Sequence, residues 1–172
     1  FIPFGSLIIA LLIFPLVKRS MGFKTVYLAS LLGYATHGLL DACTSYGTQL
    51  FWPFSNERVT WNNISIIDPL FTIPILIFVG TAIKTSKRLF SFFAIGWATF
   101  YLSLGFVQYE RTLLTAIELA HSRGHNAERM TLKPSFGNLI LWKSIYQHEE
   151  KFYVDAIRTV RSSTWCSGEN IR

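Results

Sequence analysis

Two ionisable residues, His37 and Asp41, lie four positions apart in an otherwise apolar stretch. In a helix this spacing places both side chains on one face, about one turn apart. An ionisable group in a membrane segment is costly unless it is paired or reaches water, which makes it a candidate functional residue. An imidazole and a carboxylate at this spacing can both bind one cation. The two residues are therefore predicted to form the centre of a cation-binding site.

Asp68 is the third candidate. It opens a later apolar run and is followed by Pro69, which suits the first turn of a helix. Histidine and carboxylates are common ligands for zinc or a similar divalent ion, which activates water in hydrolases. The sequence therefore predicts a divalent metal site with His37, Asp41 and Asp68 as ligands, in which Asp41 and Asp68 are the candidate catalytic carboxylates.

Each of these residues also has a simpler interpretation. Asp68 can act only as a helix N-cap, and His37 with Asp41 can form a structural pair that holds two helices together. His121 and His125 are also four apart, but Gly124 between them indicates a solvated helix end rather than a ligand pair. The residues alone leave these alternatives open.

The composition indicates a membrane protein. Hydrophobic residues make up 51% of the 172 residues and charged residues only 15%, whereas a soluble domain carries about 25% charge. The net charge is +6, but the basic residues do not gather on one arm or stripe, so we expect no nucleic-acid partner. Membrane lipids are the expected partners.

Four uncharged runs, at about 1–17, 25–42, 64–83 and 89–107, approach the roughly 20 residues that cross a bilayer as a helix. In lipid the backbone must satisfy its own hydrogen bonds, so each run should be helical. We therefore expect an all-α polytopic membrane domain of about four helices over residues 1–107. Because Phe1 begins directly in an apolar run, we also expect the chain to be a piece of a longer protein.

Residues 108–172 have a soluble composition and predict a small C-terminal module. The module should contain a helix around 111–120, a β-hairpin within 139–160 and a frayed end from residue 162. Lysine and arginine concentrate in the loops after the first and third runs, which predicts that these loops are cytoplasmic and that the module is extracytoplasmic.

The stretch that contains HGLLDACTSYGTQLFWPF and IIDPLFTIP resembles the central signature of the YdjM/DUF457 family of membrane-bound, metal-dependent hydrolases. The tail is similar to that family more weakly, through Pro134, Asn138 and LILWK. The resemblance implies a multi-pass protein of the bacterial inner (plasma) membrane with a divalent metal site. His37, Asp41 and Asp68 match the positions taken as metal or catalytic groups in that family.

Two functions follow as hypotheses. The first is a metal-dependent hydrolase that acts on a lipid-linked ester or phosphoester at the extracytoplasmic face. The alternative is a non-enzymatic transporter or partner subunit that uses the same His and Asp residues as an ion or proton relay.

Overall fold

The computed structural model describes residues 1–127, 129–160 and 163–171. Within these residues the chain forms four helices followed by four strands. In order they are α1 (Ile2–Val17), α2 (Phe23–Cys43), α3 (Pro69–Thr85), α4 (Arg88–Ser122), β1 (Arg129–Pro134), β2 (Leu141–His148), β3 (Lys151–Thr159) and β4 (Ser163–Ile171). Two compact units result: an N-terminal unit of Phe1–Ala42 and Tyr46–Thr60, and a C-terminal unit of Cys43–Ser45 and Trp61–Arg172.

The expected fold, an all-α polytopic membrane domain of about four helices followed by a module with a helix and a β-hairpin, is wrong. Among the described residues only α4 has both the length and the apolar composition of a membrane-spanning helix, and a four-stranded antiparallel sheet follows it. Helices α1 and α3 are apolar but have only 16 and 17 residues. The third run is shortened because Asp68 caps the helix at Pro69, so that residues 64–67 lie in a loop instead of in α3.

Helix α4 is a single helix of 35 residues that includes both the fourth apolar run and the region around 111–120. No proline or glycine lies between Val107 and Ser122 to interrupt it, and Gln108 and Glu110 favour helix. It ends as predicted, since the backbone N–H groups of Arg123 and Gly124 donate to the carbonyls of Ala120 and His121, at 3.2 and 2.9 Å, and Gly124 has a positive φ of 72°.

The sheet is an antiparallel meander in the order β1-β2-β3-β4. The predicted hairpin is confirmed: β2 pairs with β3 around a turn at Glu149 and Glu150. Of the three residues expected to pack this hairpin, Ile140, Trp142 and Val154, Trp142 is fully buried and Val154 is half-buried, but Ile140 is 47% exposed. Strand β1 was not predicted, and β4 occupies most of the segment expected to be frayed.

Alternate residues of the strands form the buried face of the sheet, and this face packs against the second half of α4. The Gln108 side chain of α4 donates to the carbonyl of Thr159 on β3 at 3.2 Å, and the rings of Tyr109 and Trp142 meet edge to face. The buried residues of this layer include Thr112, Ala116 and Leu119 of α4 and Leu132, Trp142, Ser144, Tyr146, Asp155 and Ile157 of the sheet. The core of the C-terminal unit therefore lies between α4 and one face of the sheet.

A buried loop residue, Asn63, lies against α4. Its backbone N–H and that of Ile64 donate to the Cys43 carbonyl at 3.0 and 3.2 Å, and its side-chain nitrogen donates to the Leu102 carbonyl at 3.4 Å. Gly105 of α4 is so close that a Cβ at this position would overlap the Asn63 carbonyl. The approach of loop and helix therefore requires glycine at this position.

Replacing Gly105 by alanine should lower the free energy of unfolding by about 1–3 kcal/mol, because the added methyl group displaces backbone atoms. Gly96→Ala on the same helix is the matched control, since a Cβ there meets nothing within 4 Å. Alanine should leave that variant unchanged or stabilise it, through helix propensity. The melting temperatures of both variants in one detergent measure the difference; equal values would contradict the close approach.

Charged and aromatic groups meet at the end of α4. Arg123 donates two hydrogen bonds to Asp155, at 2.8 and 2.9 Å, and a third to the Tyr146 hydroxyl at 3.0 Å. The Asp155 carboxylate raises the pKa of Arg123 further above its usual range. His125 contacts the Tyr146 hydroxyl through Nδ1 at 2.9 Å and stacks on His148. Its pKa is lowered by desolvation and by the nearby His148 and Arg123.

This lowered pKa makes stability depend on pH. The folded state favours neutral His125, so its contribution is fully present above the unfolded pKa of about 6.5 and is lost as pH falls from there towards the folded pKa. We expect the melting temperature to fall less between pH 7 and pH 5 in His125→Gln than in the unmodified chain. An identical pH dependence in the two proteins would show that His125 does not contribute.

Candidate functional site

His37 and Asp41 face each other on α2, in the N-terminal unit. The distance from His37 Nε2 to Asp41 Oδ2 is 3.5 Å, as the spacing of four predicts. The side chains remain 71% and 49% exposed, so a ligand can reach both. An ion pair this exposed contributes only about 0–1 kcal/mol to stability, which weakens the interpretation of the pair as structural.

A cavity of about 400 Å³, here called the polar pocket, contains the pair. Its walls come from the start of α1, from α2 and from the loop after α2, and include Phe1, Ile2, Pro3, Tyr34, Gly38, Thr48, Gln49, Leu50 and Trp52. The loop is held by two backbone hydrogen bonds between Thr48 and Val59, at 3.1 and 2.9 Å. The Gln49 side chain also donates to the Asn56 carbonyl at 3.2 Å. The loop thus supplies polar groups to the pocket from a fixed backbone.

A second cavity of about 560 Å³, here called the apolar groove, follows α1 and α2. Apart from His37, Tyr34 and Ser30, its lining is apolar or glycine: Ile9, Ile13, Val17, Met21, Val26, Ala29 and Gly33. Tyr34 and His37 line both cavities. Tyr34 packs closely on α1, since its ring lies 3.0 Å from the position that a Cβ on Gly5 would take. An apolar space therefore adjoins a polar one at His37.

Asp68 lies in the C-terminal unit and is the N-cap of α3. Its Oδ1 accepts from the backbone N–H groups of Leu70 and Phe71, at 3.1 and 3.3 Å, and its Oδ2 accepts from the Tyr101 hydroxyl at 2.7 Å. Only 3% of the residue is exposed. The capping interpretation of Asp68 is therefore confirmed, and both of its oxygens already have partners.

The donor chemistry fits a divalent ion only in part. The imidazole and carboxylate of His37 and Asp41 suit two positions of a zinc site, which normally has at least three protein ligands. Within the residues that the structure describes, no group of three or more His, Cys, Asp or Glu side chains is placed to hold a metal ion. That Asp68 joins the pair as a third ligand stays a prediction.

The sequence analysis did not identify two residues that lie next to the candidate site residues: Tyr34 beside His37, and Tyr101 beside Asp68. Tyr34 lies three positions before His37, so helical spacing alone would have placed it beside the imidazole. Tyr101 lies within an apolar run, where a buried hydroxyl needs a partner, but its partner, Asp68, is 33 residues away. The first residue could have been found from the sequence and the second could not.

Replacing Asp68 by alanine should lower the free energy of unfolding by about 1–3 kcal/mol, because the first turn of α3 loses its cap and the Tyr101 hydroxyl loses its acceptor. Asp68→Asn keeps acceptor oxygen for the cap and should cost less. Tyr101→Phe removes only the hydroxyl partner. Melting temperatures in one detergent compare the three; a loss of bound metal in Asp68→Asn at an unchanged melting temperature would instead make Asp68 a ligand.

The first 112 of the 172 residues match a family described as YdjM inner membrane protein. The match covers α1, α2, α3 and most of α4, and it ends before the sheet. No curated protein and no solved structure matched the chain. Since the matched part is well over half of the sequence and includes His37, Asp41 and Asp68, the chain belongs to the YdjM family of inner membrane proteins.

Proposed function

We propose that this inner membrane protein is a hydrolase that cleaves an ester or phosphoester bond of a lipid-linked substrate at the His37–Asp41 pair. One observation carries the proposal: His37 lines both the polar pocket and the apolar groove. A substrate with an acyl chain and a polar head needs two such spaces side by side. The reacting bond would then lie at their junction, beside the imidazole.

The two cavities suit the two parts of such a substrate. The apolar groove offers aliphatic walls, and burial of each methylene group there is worth about 0.8 kcal/mol relative to water. In the polar pocket, Thr48 and Gln49 offer hydroxyl and amide groups that can hydrogen-bond to a headgroup. Binding at both ends would hold the scissile bond in one position.

The pair itself can perform acid–base chemistry. With Nε2 turned toward Asp41, the carboxylate orients the ring. Nδ1 is then the nitrogen that can take a proton from an attacking water. The same imidazolium can return the proton to the leaving oxygen, so that water is consumed and an alcohol and an acid are released. Asp41 is in this scheme a positioning residue for His37.

As an alternative to this acid–base scheme, a divalent ion, with zinc as one candidate, is the proposed cofactor; His37 and Asp41 would then supply two of its ligands, because an imidazole that binds a metal cannot also take up the proton. When bound, such an ion would polarise the scissile group and acidify water. Support for this part of the proposal comes from the donor chemistry of the pair and not from a complete ligand set. The steps above depend only on the side chains of the chain itself.

His37→Gln should lower kcat/KM for a fluorogenic long-chain ester or phosphodiester by about a hundredfold or more, which is the usual contribution of a general base. His121→Gln, an exposed histidine at the end of α4, is the matched control and should keep full activity. Asp41→Asn should also lose activity while the melting temperature in the same detergent stays unchanged. A lower melting temperature with unchanged hydrolysis would make the pair structural.

The apolar groove predicts chain-length selectivity. A Cβ at Gly33 would meet nothing within 4 Å, and Gly33 lines the groove, so we expect a leucine side chain there to occupy part of the groove. Gly33→Leu should raise KM for long-chain substrates and leave short-chain substrates nearly unaffected. An equal change in KM for long-chain and short-chain substrates would show that the groove does not bind the acyl chain.

Metal analysis and flux measurements on the same proteins distinguish the remaining alternatives. Stoichiometric metal in the purified chain that is lost in both His37→Gln and Asp41→Asn would support the proposed cofactor. Proton or ion flux in vesicles that Asp41→Asn abolishes, without any hydrolysis, would favour the ion relay instead.

A further inference from the structure

The C-terminal unit has a cavity of its own, of about 520 Å³, which does not involve the His37–Asp41 pair. Its polar lining consists of two lysines, Lys133 and Lys143, and three serines, Ser45, Ser65 and Ser135. No aspartate or glutamate is among its lining residues. We call it the lysine pocket.

The two lysines lie directly opposite each other on neighbouring strands. Lys133 of β1 pairs in register with Lys143 of β2, so both side chains leave the same face of the sheet. Like charges in this position repel each other, and neither lysine forms a salt bridge with any residue that the structure describes. An anion held between the two ammonium groups would remove this repulsion.

The serines make the pocket suitable for a phosphate group. Hydroxyl groups can each donate a hydrogen bond to an oxygen atom, and lysine is a common phosphate-binding residue that acts as a point charge. Ser65 is about nine-tenths buried, so its position in the wall is fixed by the surrounding chain. Two cations and three hydroxyls match the charge and the several oxygen atoms of a phosphate ester.

The rim of the lysine pocket is apolar and exposed. Ile66 and Ile67 are each 60% exposed and Phe136 is 71% exposed. The isoleucines directly precede Asp68 and the apolar helix α3, and the loop of Phe136 packs there too, since a Cβ on Gly137 would lie 3.3 Å from Pro69. A soluble phosphate compound has no apolar group that would contact this rim, whereas the acyl chains of a lipid would cover it.

We propose that the lysine pocket binds the phosphate group of an anionic membrane lipid. The phosphate lies between Lys133 and Lys143 and accepts hydrogen bonds from the serines, and the acyl chains contact Ile66, Ile67 and Phe136. Basic pockets beside membrane helices are suited to anionic headgroups for the same electrostatic reason. This site is independent of the proposed hydrolase site, and either one can exist without the other.

The test is a titration of the full-length protein, in a neutral detergent, with short-chain phosphatidic acid, glycerol 3-phosphate and short-chain phosphatidylcholine. Binding is measured by calorimetry and by the rise in melting temperature that a ligand of the folded state causes. We expect phosphatidic acid to bind at least about tenfold more tightly than either of the other two. Glycerol 3-phosphate that binds as tightly as the lipid would overturn the lipid assignment.

The double variant Lys133→Gln with Lys143→Gln should lose about tenfold or more in affinity for phosphatidic acid. Both lysines are exposed and repel each other, so the variant should keep its melting temperature without ligand. The matched control, Arg129→Gln with Arg158→Gln, removes two positive charges from exposed positions of the same sheet outside the pocket. An equal loss in the control would mean general attraction of anions and would overturn the proposal.

A third variant tests the rim without changing any charge. Phe136→Ser should weaken phosphatidic acid binding severalfold and leave glycerol 3-phosphate binding unchanged. Unchanged binding of phosphatidic acid in both Phe136→Ser and the lysine double variant would exclude this pocket as the lipid site. Hydrolase activity is not part of any of these measurements, so the failure of one proposal leaves the other intact.

Discussion

The C-terminal unit is organised by the carboxylate of Asp68. One of its oxygens accepts hydrogen bonds from two free backbone N–H groups in the first turn of α3, and the other accepts a hydrogen bond from the Tyr101 hydroxyl of α4. A charged group that is 97% buried needs such compensation, since burial of an unpaired carboxylate is costly. Because the same side chain starts one helix and bonds to another, it fixes both the first residue of α3 and the position of that end against α4. Loop 63–67, which carries Asn63 and part of the lysine pocket, is positioned by the same constraint.

Close backbone approach completes this arrangement. Gly105 allows the loop at Asn63 to contact α4. Beyond Gly105 the apolar segment of α4 ends, and the rest of the helix packs on the sheet. Ala116, a small residue of α4, belongs to the same buried cluster as Trp142 and Ile157 of the sheet. Small helix residues and large sheet residues therefore complement each other in this core, and the Arg123–Asp155 ion pair, which is only partly buried, lies at its end.

Local patterns predicted local features well. The pairing of His37 with Asp41, the cap at Asp68 and the hairpin around Glu149 depend on residues within a few positions of each other, where backbone geometry decides the outcome. Apolar runs were less informative, because a run gives the length of an apolar stretch and not the residue where its helix begins. Pairings over long sequence distances were not accessible at all: Tyr101 with Asp68, and Lys133 opposite Lys143, depend on topology. Strand β4 was missed because its sequence, with serines, glycine and asparagine, lacks the alternation of a half-buried strand.

The length of α4 has a geometric consequence. At about 1.5 Å per residue, its first 20 residues, 88–107, extend about 30 Å, the thickness of the hydrocarbon core of a bilayer. The remaining 15 residues, 108–122, extend about 22 Å further and carry the sheet on one side. With no helix-breaking residue between the two parts, α4 is a rigid post that fixes both the height of the sheet above the apolar segment and the direction it faces. Since each residue of a helix turns the chain by about 100°, the insertion of a single residue near 107 would rotate the sheet to another side of the post.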